Sequence, residues 1–208
     1  TAMIALIAGT GSLPVHAALA LANDRKDFFV ITLFPADNQI ALAQVVRSPD
    51  AVIPQTAYRL GTILDVLKNR KTTHVLFAGK VDKRLLLRNI SLDWLAIKLL
   101  SKTIVKSDRQ IMEMLIEFLA QHGIEVLSQA AALTPLLLNP GVVCGSLPDA
   151  LEKDIELGLA TAQAISLHDI GQTVVIKNNM IIAVEAIEGT DECIDRALTL
   201  AGPGIVVC

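Results

Sequence analysis

The sequence predicts an α/β protein with a Rossmann-like N-terminal domain built on a parallel sheet, followed by a second, smaller α/β C-terminal domain. Its composition is 52% hydrophobic but only 3% aromatic. The aliphatic residues and alanine that dominate are typical of a buried parallel sheet covered by helices. The chain also opens with an apolar run, a glycine turn and a helix. A stretch rich in proline and glycine then separates residues 1–132 from residues 148–208,.

The first βα unit is predicted as a strand at Met3–Ala8 and a helix at Leu13–Asn23, joined by a glycine turn,. The turn has the pattern Gly-x-Gly-x-x-Pro, so the third glycine of a dinucleotide-binding motif is missing. The next strand, Phe28–Phe34, is not followed at once by an acidic residue either. A phosphate or nucleoside contact and a purely structural turn both remain open at this point. The candidate contacts are Gly9, Thr10, Gly11 and Ser12.

The next predicted elements are a short strand at Ala51–Pro54, a helix at Tyr58–Asn69 and a strand at His74–Ala78 that ends in Gly79 and Lys80,. Ligands of open parallel sheets bind beyond the carboxyl ends of the strands, and Lys80 is placed there to meet phosphate as a point charge. A basic surface follows that either binds phosphate or is merely solvated, with Lys83, Arg84 and Arg88.

The N-terminal domain is completed by two helices and a strand. An amphipathic helix is predicted over Leu92–Val105, with lysines opposite its apolar stripe, and it either packs on the core or rests on a membrane,. A capping box at Ser107 opens the next helix, which ends with Gly123 at the C′ position,. The strand Ile124–Leu127 follows.

Residues 133–147 are predicted to be a linker, and residues 148–208 are predicted to form the C-terminal domain,. This domain begins with a helix at Asp149–Ser166 and ends with a strand at Gly204–Cys208. The helix face predicted to be apolar comprises Ile155, Leu159, Ala162 and Ile165.

The stretch Ala183–Asp191 is the most specific feature of this domain. It follows a predicted hairpin around Asn178 and Asn179, and Thr190 or Asp191 is predicted to cap a helix that reaches Leu200,. Three carboxylates therefore crowd a helix N-terminus, which attracts anions, and a divalent cation would let both coexist. The alternative is that Asp191 only caps, Glu185 is solvated and nothing binds. The three carboxylates are Glu185, Glu188 and Asp191.

Several function classes are excluded or disfavoured. A net charge of −3 and a pI near 5.8 give no global attraction to nucleic acid,. Three cysteines and four histidines show no metal-ligand spacing,. There is no Gly-x-Ser-x-Gly elbow and no Walker loop,. No basic region precedes the first apolar run, so a signal peptide is not expected,.

The sequence resembles the metal-dependent UDP-2,3-diacylglucosamine pyrophosphatases of lipid A biosynthesis, the type that is unrelated to the calcineurin-like enzymes. The landmarks of this resemblance are Ile4-Ala-Leu-Ile-Ala-Gly-Thr-Gly-Ser-Leu-Pro14, Phe77-Ala-Gly-Lys-Val81, Asp169-Ile-Gly-Gln172 and Ala183-Val-Glu-Ala-Ile-Glu-Gly-Thr-Asp191. The last of these is the most specific.

The resemblance implies attack of water on the α-phosphate of UDP-2,3-diacylglucosamine, with Mg²⁺ (or Mn²⁺) as cofactor, which gives UMP and 2,3-diacylglucosamine 1-phosphate. The lipid-linked UDP-sugar would lie between the two domains, and the enzyme would be cytoplasmic and peripheral on the inner membrane, with a homodimer left open. Besides the first turn, the expected substrate contacts are Gly79, Lys80, Gln172, Gly189 and Thr190.

Members of this family continue past a strand equivalent to Ile205–Cys208 and carry a catalytic aspartate there, so this chain is expected to be truncated and to lack an essential group. The remaining catalytic candidates are Asp191, Glu185 and Glu188, with Glu188 and Asp191 as candidate metal ligands. Two alternatives stay open: a non-catalytic nucleotide- or lipid-binding module, and an NAD(P)-dependent oxidoreductase suggested by the first turn alone.

Overall fold

The computed structural model describes residues 2–34, 36–46, 48–56, 59–80, 93 and 108–208. The chain divides into two compact units, residues 1–137 and residues 138–208. The predictions made for Lys83, Arg84, Arg88 and the helix at 92–105 lie outside the described residues.

The first unit contains a five-stranded parallel sheet, as predicted. Its strands are β1 (Ile4–Ala8), β2 (Phe28–Phe34), β3 (Val52–Thr56), β4 (His74–Ala78) and β5 (Glu125–Val126), in the spatial order β3-β2-β1-β4-β5. The described helices are α1 (Leu13–Asn23), α2 (Gln39–Val46), α3 (Leu60–Asn69), α4 (Asp108–Ala120) and α5 (Gln129–Ala132). Short 3₁₀ turns occupy Pro49–Ala51 and Thr134–Leu136.

β1 forms the centre of this unit, and all five of its residues are buried. Ile4, Leu6 and Ala8 belong to a core cluster that includes side chains of α1 and α2. Ala5 and Ile7 belong to a second cluster that includes side chains of α3 and α4. Because the strand is covered on both faces, its sequence is continuously apolar instead of alternating.

Two helix signals in this unit are confirmed, while the capping box predicted at Ser107 lies outside the described residues. α3 buries Ile63, Leu64 and Leu67, three residues of its predicted apolar face. After α4, Gly123 adopts a φ of +74°. The N–H of Ile124 donates to the carbonyl of Leu119, which gives the Schellman motif expected of a C′ glycine,.

Two strand boundaries differ from the prediction. β3 covers Val52–Thr56 instead of Ala51–Pro54, because its pairing with β2 runs from Val30 opposite Val52 to Phe34 opposite Thr56. Ala51 belongs to the preceding 3₁₀ turn. β5 is shortened to two residues, because Ile124 completes the end of α4.

The second unit is the predicted smaller α/β domain. After a 3₁₀ turn at Asp149–Leu151, its elements are α6 (Glu152–Leu167), β6 (Val174–Lys177), β7 (Met180–Val184), α7 (Thr190–Ala201) and β8 (Val206–Val207). The strands form an antiparallel sheet in the order β7-β6-β8. The predicted final strand at Gly204–Cys208 is reduced to two residues, although Cys208 still exchanges two backbone hydrogen bonds with Val174.

The β6–β7 hairpin has the predicted turn. Asn178 and Asn179 have φ values of +52° and +60°, as a type I′ turn requires,. The buried carboxylate of Asp154, on α6, accepts hydrogen bonds from both backbone N–H groups, at 3.0 Å and 2.6 Å. A side chain remote in sequence therefore fixes this turn.

The packing face predicted for α6 is wrong in one respect. Leu159 is 51% exposed, while Asp154 and Gly158 are the buried residues of the helix. A Cβ atom at Gly158 would lie 2.5 Å from Sγ of Cys208. The helix thus approaches the C-terminal strand through a glycine, and Leu159 lies outside its inner face.

The segment between the units exposes apolar side chains. Leu133, which the prediction places in the linker, is buried in the core of the first unit. Beyond it, residues 136–147, here called the apolar segment, carry no charge. They expose Leu136, Leu137, Leu138, Val142, Val143 and Leu147. In the described part of the chain, no helix is long and apolar enough to cross a membrane.

Candidate functional site

The order of the parallel strands brings two predicted turns together. β2 and β3 lie on one side of β1, and β4 and β5 lie on the other. In such sheets, ligands bind outside the carboxyl ends of the strands where this order reverses. The turns that leave β1 and β4 at that point, Gly9–Ser12 and Gly79–Lys80, are here called the switch-point turns.

The switch-point turns are in direct contact. The N–H of Thr10 donates to the carbonyl of Lys80 at 2.8 Å, and the N–H of Lys80 donates back at 3.2 Å. A Cβ atom at Gly79 would lie 2.7 Å from the carbonyl oxygen of Thr10, and one at Gly9 would overlap the carbonyl of Lys80. These two glycines therefore allow the close approach of one turn to the other.

Asp37 and Asn38, which follow β2, complete this arrangement. The side-chain amide of Asn38, which is only 7% exposed, donates to the carbonyls of Gly9 and Gly11, at 2.8 Å each. The exposed carboxylate of Asp37 accepts a hydrogen bond from the N–H of Gly11, at 3.0 Å and 3.2 Å to its two oxygens. The sequence pattern did not indicate either residue, because the acidic residue of a dinucleotide-binding motif is expected at the end of β2 itself. The signal was an acidic–amide pair a few residues farther on.

Two polar groups of the switch-point turns have no partner in the described part of the chain. Ser12 occupies the N-cap position of α1, as predicted, but its hydroxyl makes no capping hydrogen bond. The exposed Lys80 has no described acidic partner for its ammonium group. A hydroxyl and a positive charge are thus available to a ligand at this edge of the sheet.

In the second unit, Glu185 joins two of the predicted contact residues. Its carboxylate accepts hydrogen bonds from the backbone N–H of Gln172 at 3.0 Å and from the hydroxyl of Thr190 at 3.1 Å. Gly171 packs against the backbone of Glu185 so closely that a Cβ atom there would overlap its carbonyl. Burial by itself raises the pKa of Glu185, but the hydrogen bonds, led by that from Gln172, outweigh it and hold the pKa below the ordinary value,.

Glu188 is bound to the following helix. Arg196 donates to one of its oxygens at 2.6 Å, and the N–H of Ala186 donates to the other at 3.2 Å. A hydrogen bond from its own backbone N–H and the one from Arg196 lower the pKa of Glu188. The carboxylate therefore lies ionised in a local network that ties the turn to α7.

The start of α7 differs by one residue from the prediction. Gly189, with a φ of +95°, occupies the N-cap position, so Thr190 is the first helical residue and neither Thr190 nor Asp191 is the cap. The hydroxyl of Thr190 is instead directed to Glu185. Asp191 lies in the first helical turn with an exposed side chain.

The carboxylates of this unit do not form a ready metal centre. Among the described residues, no group of three or more histidine, cysteine, aspartate or glutamate side chains is arranged to hold an ion. Both oxygens of Glu185 and both oxygens of Glu188 accept hydrogen bonds from the protein. Of the three predicted carboxylates, only Asp191 accepts no hydrogen bond and forms no ion pair with the described residues. As they are arranged, Glu185 and Glu188 do not fit the role of metal ligands.

The comparisons with known proteins agree with the two units. The LpxI N-terminal domain family matches residues 3–136, and the LpxI C-terminal domain family matches residues 139–208. The chain belongs to the LpxI family. It is similar to a protein of Caulobacter vibrioides named UDP-2,3-diacylglucosamine pyrophosphatase LpxI, with 29% identity over 202 residues, which are 95% of this chain and 69% of that protein.

The geometry of the first turn differs from that of a dinucleotide-binding motif. In such motifs the backbone N–H groups of the turn face a pyrophosphate. Here the N–H of Gly11 is already bonded to the carboxylate of Asp37. That contact, together with the missing third glycine, weighs against the NAD(P)-dependent oxidoreductase alternative.

Proposed function

We propose that this protein hydrolyses the pyrophosphate bond of UDP-2,3-diacylglucosamine, which gives UMP and 2,3-diacylglucosamine 1-phosphate in lipid A biosynthesis. The observation that carries the proposal is that the LpxI family matches both units of the chain. The name of the similar Caulobacter protein supplies the substrate and the bond that is broken.

The switch-point turns are proposed to bind the nucleotide part of the substrate. The support is their place at the carboxyl ends of β1 and β4, where open parallel sheets bind ligands,. Lys80 would neutralise phosphate charge, and the hydroxyl of Ser12 would donate a hydrogen bond. Gly9, Thr10, Gly11 and Gly79 would shape the surface that the ligand meets. In the second unit, the proposed contacts are Gln172, Gly189 and Thr190.

Mg²⁺ (or Mn²⁺) is part of the proposal, because a divalent cation offsets the charge of a diphosphate and polarises its phosphorus–oxygen bonds. Asp191 is proposed as a ligand or catalytic group, since its carboxylate is exposed at the start of α7. Glu185 and Glu188 would stabilise the fold of this region through their hydrogen bonds.

Peripheral contact with the cytoplasmic face of the inner membrane is also proposed, since the diacyl substrate resides in a membrane. The uncharged apolar segment at 136–147 supports it, because exposed leucine and valine side chains gain free energy when they leave water,. Sedimentation with phospholipid vesicles tests this: replacing Leu137 and Leu138 by serine should lower the bound fraction. Equal binding by the wild-type and doubly substituted proteins would oppose the proposal. A homodimer stays a prediction.

The activity is tested with purified protein, UDP-2,3-diacylglucosamine in detergent micelles and Mg²⁺, and with UMP measured by chromatography. Release of UMP at a rate proportional to protein concentration is expected. UMP binding by calorimetry without any turnover would instead favour a non-catalytic nucleotide-binding module, which the engaged carboxylates of Glu185 and Glu188 would suit. If the folded protein shows no turnover and does not bind UMP, the proposal is overturned.

A further inference from the structure

The Asp37 carboxylate lies where an anionic ligand of the first turn would lie. Its two oxygens are 3.0 Å and 3.2 Å from the N–H of Gly11, the amide of the turn that leads into α1. The outer side of the turn is otherwise open, since a Cβ atom at Gly11 would meet nothing within 4 Å. A ligand that accepted a hydrogen bond from the N–H of Gly11 would therefore have to displace the Asp37 carboxylate.

Asn38 holds the shape of the turn independently of Asp37. Its buried amide donates to the carbonyls of Gly9 and Gly11, one on each side of Thr10. The backbone exchange with Lys80 holds Thr10, the residue between these two glycines. The hydrogen bond from Gly11 to Asp37 is thus not needed to define the conformation of the turn, which separates the role of Asp37 from that of Asn38.

We propose that Asp37 is a specificity-determining residue that excludes phosphate from the Gly9–Ser12 turn. An ionised carboxylate has only acceptor oxygens, as phosphate has, so the two cannot share the N–H of Gly11 and their negative charges repel. The inference rests on the proposed nucleotide site, and it specifies which part of the nucleotide lies at each turn. The turn at β1 accepts an uncharged part of the nucleotide, and the phosphates lie toward Lys80, which carries the opposite charge.

The test is a titration of the ¹⁵N-labelled full chain with inorganic phosphate, followed at the amide resonance of Gly11. In the wild-type protein, phosphate should leave this resonance unchanged. In Asp37→Ala, phosphate should shift the Gly11 resonance. Such a shift indicates a phosphate affinity at this turn about tenfold or more above that of the wild type. Asp65→Asn, an exposed carboxylate on α3, is the control for the change in net charge and should behave as the wild type does.

Asp37→Asn provides a second variant, because its amide oxygen still accepts from Gly11 while the charge is removed. A smaller gain in phosphate affinity in the same direction is expected. Equal phosphate affinity in the wild type and both Asp37 variants would overturn the inference. A gain in Asp37→Ala without any UMP binding by the wild type would support phosphate exclusion by Asp37 and count against the proposed function, so the two failures are distinguishable.

Discussion

Arg196 and Glu188 form a close ion pair, with Nη2 of the guanidinium 2.6 Å from the carboxylate. The same nitrogen donates to the carbonyl of Val184 at 3.0 Å. Arg196 thereby connects α7 to the end of β7 and to the turn before the helix. Glu188 is the counter-charge of this arginine, which explains why a carboxylate at a candidate phosphate-binding site is not free to bind a metal.

Replacing Arg196 should change the pKa of Glu188. In Arg196→Met we expect the pKa of Glu188 to rise toward its ordinary value, because one of the hydrogen bonds that lower it and a neighbouring positive charge are lost,. The hydrogen bond from its own backbone N–H remains, so the pKa should stay somewhat lowered. Titration of the side-chain carboxyl by ¹³C NMR measures the change. Arg59→Met, in the first unit, is the control, and an unchanged Glu188 pKa in Arg196→Met would contradict the role assigned to the pair.

Glu185 should make the second unit sensitive to acid. Because its pKa is lower in the folded state than the ordinary value of 4.5, its contribution to stability is fully present above about pH 4.5 and is lost as the pH falls through the folded-state pKa,. We expect Glu185→Gln to unfold with a weaker pH dependence than the wild type below about pH 4.5,. Urea denaturation at several pH values measures this, with Glu156→Gln on α6 as the control. Parallel pH profiles for the wild type and Glu185→Gln would refute it.

Gly79 should tolerate substitution far less than Gly123, although both have positive φ angles, +91° and +74°. An alanine at 79 meets the carbonyl of Thr10 and the ring of Pro14, whereas one at 123 meets open space. We expect Gly123→Ala to lower the free energy of unfolding by about 1–2 kcal/mol. Gly79→Ala should lose about 1–3 kcal/mol more through overpacking. Equal losses in urea denaturation would show that the switch-point turns are not in close contact.

The sequence pattern predicted the features that depend on neighbouring residues. The I′ turn at Asn178 and Asn179 and the C′ glycine at 123 were predicted because their φ angles restrict residue type locally,. Side-chain contacts between residues remote in sequence were not predicted. Asp154 under the hairpin turn is an example, because nothing near it in the chain indicates that an acidic residue in a helix is buried.

The candidate sites show the same division. Alternating strands and helices predict a parallel sheet, and ligands of such sheets bind beyond the carboxyl ends of the strands. The order of the strands, which brings Gly9 and Gly79 together, comes from the structure. Side-chain contacts determine the charges that are free at those sites. Asp37 accepts a hydrogen bond from Gly11, 26 residues away in sequence, and Arg196 pairs with Glu188, 8 residues away. The three acidic residues at the start of α7 therefore predicted one shared cluster, whereas Glu185 and Glu188 have separate hydrogen-bond partners.

Lys80 should contribute to substrate binding if the nucleotide lies at the switch-point turns. In Lys80→Met we expect the KM for UDP-2,3-diacylglucosamine, or the Kd for UDP, to rise about tenfold, which corresponds to about 1.4 kcal/mol for loss of one phosphate-facing charge. Steady-state kinetics or calorimetry measures it. Lys68→Met, in the last turn of α3, removes the same charge away from the site and should change neither value. Identical UDP affinity in Lys80→Met and the wild type would remove Lys80 from the proposed site.

Asp154 should be the residue of the second unit whose loss most directly loosens the β6–β7 turn. Its carboxylate accepts from the backbone N–H groups of Asn178 and Asn179, and it is 4% exposed. In Asp154→Asn, one side-chain acceptor becomes a donor that faces a backbone N–H, so we expect a loss of about 2–4 kcal/mol in the free energy of unfolding. Hydrogen exchange measured by NMR should show the amides of Asn178 and Asn179 losing protection. Asp149→Asn, at the exposed start of the unit, is the matched control. If the two amides kept wild-type protection in Asp154→Asn, the turn would be held by its own backbone conformation and not by the carboxylate.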